Sequence, residues 1–109
     1  MEKMLRVIYK KPGCMAELRE IPNTLWSLQG AIHGYIQAVT YKNGLIILCD
    51  EDGYIKGLSP NIFGICGPVV ICREDGEDFA SIKKTDIRAS MDEVTEEGEF
   101  TSTLLEAFA

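Results

Sequence analysis

The chain has 109 residues, of which 46% are hydrophobic and 26% charged. That is the size of one domain and the composition of a chain that folds around a core, not of a disordered one. Its net charge of −6 disfavours direct nucleic-acid binding, because phosphates would be repelled, and no apolar run reaches the roughly 18–20 residues that cross a bilayer.

The charge is uneven. Residues 1–49 carry six Lys or Arg against three Glu, whereas residues 50–109 carry five against fourteen Asp or Glu. An acidic half keeps a protein soluble or attracts a basic partner. The first eleven residues have too short an apolar core for a signal peptide and read as an opening strand. The expected location is therefore the cytoplasm, with no membrane association. Cys14, Cys49, Cys66 and Cys72 form no Cys-x-x-Cys pair, and His33 is the single histidine. A structural zinc site is weakly supported, and free core thiols are expected instead of disulfides. No cofactor is expected.

In chain order, residues 4–9 are rich in Val, Ile and Leu and predict a strand. Lys11-Pro12-Gly13 is a turn. Residues 15–20 predict a second strand, paired with the first and broken at Ile21-Pro22. Asn23 or Thr24 caps a short helix with Leu25, Leu28, Gln29 and Ile32 as its recurring face, ending near Gly30 or Gly34. Two β-branched and aromatic runs then flank Asn43-Gly44, the strongest short-range hairpin signal. Asp52-Gly53 adds a second turn, so residues 35–58 predict a three-strand meander. Alternation puts Ile36 and Ala38 on one side and Tyr35, Gln37, Val39 and Tyr41 on the other. Residues 45–49 are apolar throughout, as in a central strand covered on both faces.

Residues 56–61 leave the sheet as an irregular loop. Residues 62–66 predict a short helix or a bridge, Gly67-Pro68 a break, and 69–73 a strand. Asp75-Gly76 turns the chain so that 79–82 pairs back. Residues 86–94 could form a helix with Ile87, Met91 and Val94 on one face. Residues 95–99 are acidic, and 101–109 could close with an amphipathic turn through Leu104, Leu105 and Phe108. The fold class is α+β: a small, mostly antiparallel sheet with a hairpin meander and one or two covering helices. The domain is expected over 1–88, with an acidic extension over 89–109. A homodimer or higher homo-oligomer is the expected assembly, since twofold dimers are the commonest and the apolar tail residues need cover.

Several short motifs carry a resemblance. Glu20-Ile21-Pro22-Asn23-Thr24-Leu25, Leu28-Gln29, Gly34-Tyr35-Ile36, Gly57-Leu58-Ser59-Pro60-Asn61 and Asp75-Gly76-Glu77-Asp78-Phe79 together resemble a small family without assigned function. That family is found in bacteriophages and mobile elements of Gram-positive bacteria and their relatives. The resemblance spans residues 4–87, and the tail after Arg88 departs from it. It implies a setting, action on host systems including defence, and no particular reaction.

No motif announces catalysis. His33 stands alone at a helix end, without the partners that a nucleophilic triad needs. No phosphate-cradling glycine loop occurs. Asp50, Glu51 and Asp52 precede Gly53 as solvated turn residues do, and residues 75–78 read the same way. The more promising set is aromatic and polar. Tyr35, Gln37 and Tyr41 share one predicted sheet face. Lys56, Ser59 and Asn61 come from the irregular loop, and Arg6 and Arg73 could reach in from neighbouring strands. Rings for stacking plus a few donors and cations are what a nucleotide needs. The candidate ligand-binding residues are therefore Tyr35, Gln37, Lys56, Ser59, Asn61, Arg6 and Arg73.

The expected function is non-enzymatic: a phage counter-defence protein that sequesters a small nucleotide immune signal without cleaving it. The alternative is an acidic interaction protein or DNA mimic that inhibits a host defence enzyme. It would use residues 74–99, which hold ten acids against three bases.

Overall fold

The computed structural model describes residues 3–41, 44–76 and 78–86. The predicted helix over 86–94 beyond its first residue, the acidic stretch 95–99, the closing turn 101–109 and the boundary at 88/89 lie outside the described residues.

The elements run β1 (Met4–Lys10), β2 (Glu17–Pro22), α1 (Leu25–Ile32), β3 (Ile36–Thr40), β4 (Leu45–Asp50), a 3-10 turn (Ile62–Gly64), β5 (Val69–Asp75) and β6 (Asp78–Ala80). The six strands form one sheet in the order β2-β1-β5-β4-β3, with β6 beside β5. All pairings are antiparallel. The domain is thus a small antiparallel sheet with one covering helix, as the α+β reading requires.

Both faces of the sheet are packed. On the helix side, Leu5, Val7 and Tyr9 of β1, Ile46 and Leu48 of β4, and Val70 and Cys72 of β5 meet Leu28 and Ile32 of α1. On the other side, Ile8, Leu45, Ile47, Cys49, Val69 and Ile71 are covered by Ile62 of the 3-10 turn and by Ile82. The period-two alternation of strands sends successive side chains to these two layers. Every residue of β4 is buried, which is why residues 45–49 are apolar without alternation. Cys49 and Cys72 are buried free thiols; burial raises both, and pushes Cys72 up to about 12.

Four local expectations are corrected. The meander has two strands, not three. Residues 51–57 form a series of turns, closed by hydrogen bonds from Lys56 N–H to Asp52 C=O (2.8 Å) and from Leu58 N–H to Gly53 C=O (3.0 Å). Second, β2 begins at Glu17 and runs through Ile21 and Pro22, which faces Met4. As a sheet edge, it tolerates a missing N–H at its end. Third, α1 is capped by Thr24 as expected, its side chain accepting from Ser27 N–H, but its left-handed C-cap is His33 and not a glycine. His33 itself takes the left-handed conformation, φ 63°, which histidine enters more readily than most residues. Fourth, Leu25 is 64% exposed, so the buried stripe of α1 is Leu28 and Ile32.

No helix among the described residues is long and apolar enough to cross a membrane.

Candidate functional site

The site is built where the end of β4, the end of α1 and the turns over 51–58 meet. Asp50 closes β4 with its side chain fully buried. Its Oδ1 accepts from Asp52 N–H at 2.9 Å, and its Oδ2 accepts from Lys56 Nζ at 2.7 Å. The Lys56 hydrogen bond holds the Asp50 carboxyl below its ordinary range, burial opposes this, and the Asp52 N–H adds to it. The same bond raises Lys56. Gly34 lets the carboxylate approach α1: a Cβ there would lie 2.4 Å from Oδ2. Glu51 N–H donates to Tyr35 C=O at 3.0 Å. One buried charge thus ties helix end, strand end and turn together.

Beside this anchor is a concavity of about 360 Å³, lined by Trp26, Gln29, Gly30, Gly34, Tyr35 and Lys56. Trp26, the chain's single tryptophan, lies off the buried stripe of α1 and is 78% exposed. Tyr35 is 68% exposed. It lies just before β3, outside the strand's alternation, and so joins α1 instead of the face that holds Val39 and Tyr41. Large exposed rings at the rim of a hollow form a stacking surface.

A second concavity, about 420 Å³, is lined by Lys11, Pro12, Cys14, His33, Leu58, Ser59, Gly67 and Pro68. It adjoins the first, because His33 lines one and Gly34 and Tyr35 the other, while Lys56 and Leu58 divide in the same way.

The structure therefore brings Tyr35 and Lys56 to one hollow and Ser59 to its neighbour. It uses the other candidates elsewhere. Asn61 accepts through Oδ1 from Lys10 Nζ (3.1 Å) and Ile62 N–H (2.8 Å), and donates through Nδ2 to Lys10 C=O (2.8 Å) and Gly67 C=O (2.9 Å). It is a fastener between β1 and the 59–67 strap. Arg73 is paired with Asp86 at 2.5 Å, and Asp86 also accepts from Lys83 N–H at 2.7 Å. The Arg6 backbone binds the segment after β6, through Ser81 Oγ (2.9 Å) and Ile82 N–H (3.0 Å). Gln37 is exposed on β3 and lines neither hollow. Sequence reasoning missed Trp26, Gln29, Lys11 and His33 as lining residues. Trp26 could have been found: a tryptophan two positions before Leu28 sits off the apolar stripe, where core packing does not explain it.

Among the described residues, no three His, Cys, Asp or Glu side chains gather in a way that could hold a metal ion.

Comparison with known proteins gives one positive finding: the model of a family described as Domain of unknown function (DUF3846) matches residues 4–102. No match to a curated protein or to a solved structure was found.

Proposed function

We propose a function from site geometry, because the chain belongs to the DUF3846 family, whose description names no activity. The protein is a binding protein for a small nucleotide-type ligand, which it sequesters without cleaving. The observation that carries this reading is the pair of exposed rings, Trp26 and Tyr35, at a hollow that also offers Gln29 and Lys56. The rings supply stacking for a base. Gln29 and Lys56 supply hydrogen bonds to its edge or to a sugar. The resemblance to phage and mobile-element proteins supports counter-defence as the purpose, with a nucleotide immune signal as cargo.

The assembly belongs to the same reading. Of the two strands that end the order β2-β1-β5-β4-β3, β2 carries Glu17, Arg19, Glu20 and Pro22, the charges and proline that discourage strand pairing. Strand β3 reads Ile-Gln-Ala-Val-Thr, with no charge and no proline, and among the described residues no strand lies outside it. A twofold pairing of β3 with its copy is the homodimer we read from this.

A second reading is favoured by Tyr54 and Ile55, which are 86% and 82% exposed on the same turns as Glu51 and Asp52. This is an acidic, apolar-centred surface for docking a host enzyme. Of the acids over residues 74–99 on which this reading also draws, Glu77 and those beyond Asp86 lie outside the described residues. Salt separates the two readings. Docking through an acidic rim weakens steeply with ionic strength, and stacking of an uncharged nucleoside does not.

The test is a titration of the protein with nucleosides and nucleotides, read by Trp26 fluorescence and by melting temperature. Binding quenches Trp26 and raises the melting temperature, as any native-state ligand does. Tyr35→Ala weakens binding about tenfold, in the range found for losing one base-stacking ring. Ligand recovered unchanged from heat-denatured protein separates storage from cleavage. No quenching and no thermal shift with any nucleotide class defeats the reading.

A further inference from the structure

We propose that the concavity lined by Lys11, His33 and Ser59 is an anion subsite, which takes the phosphates of a nucleotide whose base lies against Trp26 and Tyr35. The inference rests on the base-binding reading above and assigns the charged half of the same ligand to a different place.

The first argument is electrostatic. Among the described residues, Lys56 is the one cation lining the aromatic hollow, and it is already bound to Asp50 at 2.7 Å. Asp52 and Glu51 also act on its ammonium. The cluster of one Lys and three carboxylates is net negative, so a phosphate placed there meets repulsion. The adjoining concavity is the reverse. Among the described residues its lining offers Lys11, the His33 imidazole, the Ser59 hydroxyl and the Cys14 thiol, and includes no carboxylate. The acid on that side, Glu17, is paired with Arg19 and lines an adjoining hollow of about 140 Å³, which shares Lys11 and Cys14. In a chain whose net charge is −6, a hollow whose polar lining is a lysine, an imidazole, a hydroxyl and a thiol, completed by Pro12, Leu58, Gly67 and Pro68, is a place where an oxyanion is little opposed.

The second argument is the shape of the divide. Two short segments separate the hollows, His33-Gly34-Tyr35 and Lys56-Gly57-Leu58. Each has a glycine at its middle. At Gly34 the buried Asp50 carboxylate fills the space where a side chain would be, but at Gly57 that space is open to 4 Å. A ligand can therefore lie across the divide with its ring on one side and its charge on the other. His33 belongs to this construction: as the left-handed cap of α1, it lines the second hollow while its neighbour Gly34 receives Asp50.

The test compares a nucleoside, its diphosphate and inorganic pyrophosphate against the full chain, by Trp26 fluorescence and calorimetry. The variants are Lys11→Gln and His33→Asn, singly and together; asparagine tolerates the left-handed cap. Both altered residues are exposed, and circular dichroism verifies the folds of the three variants. The expected result is that the diphosphate binds about tenfold or more tightly than the nucleoside, as charge-assisted contacts provide. The double variant loses this gain and keeps its nucleoside affinity. A gain that persists in the double variant, or no gain at all, overturns the anion subsite and leaves the base reading standing. Pyrophosphate binding that depends on Lys11 and His33, without any nucleoside binding, overturns the base reading and leaves the anion subsite. Binding of neither overturns both.

Discussion

At the scale of single residues, Asp50 shows how a charge can be structural. Its carboxylate has no exposed surface and satisfies one donor with each oxygen. Because its folded value is depressed, it favours the native state in full above about pH 3.9, the ordinary Asp value. That contribution is lost as pH falls through the lower folded value. Asp50→Asn should therefore lower the melting temperature at pH 7 and flatten its decline in acid. A series of thermal melts from neutral pH down to about pH 2 checks this; parallel curves for the two proteins would refute it. In the sequence, Asp50 and Asp52 look alike, two acids before a turn glycine. What separates them is the close approach of Gly34, sixteen positions earlier, and no local pattern records a tertiary contact. The same holds for Lys56. Its residue type marked it as a ligand group, and its commitment to Asp50 became visible only in three dimensions. Tyr35 is expected on a sheet face shared with Gln37 and Tyr41, but it precedes β3 and lines the hollow beside α1 instead.

At the scale of elements, the strap over residues 59–67 is held by one side chain. Asn61 makes four hydrogen bonds, two of them to Lys10, which is only 7% exposed. Removing the amide leaves buried donors and acceptors without partners. Asn61→Ala should cost about 2–4 kcal/mol, measured by urea unfolding, with uncovering of the layer beneath Ile62. A loss below about 0.5 kcal/mol would show that water replaces the amide freely. The hairpin of β3 and β4 was readable because Asn43-Gly44 selects a tight turn between β-branched runs. The expected third strand failed for an equally local reason. Asp52 and Gly53 accept hydrogen bonds from residues four and five positions on, which coils the chain instead of extending it. Gly53 also packs on the strap: a Cβ there would lie 2.1 Å from Cys66 C=O. The strand at β2 passed through Pro22 because its outer edge needs no donor.

At the scale of the whole molecule, the two sheet edges predict behaviour in solution. Light scattering should find a dimer, and Ala38→Lys, which places a charge at the exposed centre of β3, should yield a folded monomer. A wild-type monomer at all concentrations would remove β3 from the assembly. The order β2-β1-β5-β4-β3 was not legible, because antiparallel neighbours distant in sequence leave no local trace. It has a consequence for how the protein comes into being. The hairpins β1–β2, β3–β4 and β5–β6 join near neighbours in the chain and can form within microseconds. The central seam does not: Ile8 pairs with Ile71 and Lys10 with Val69. Until the ribosome has released β5, the first half of the nascent chain has nothing to close against. Its apolar strands must wait unsheltered, and joining that seam should set the pace of folding.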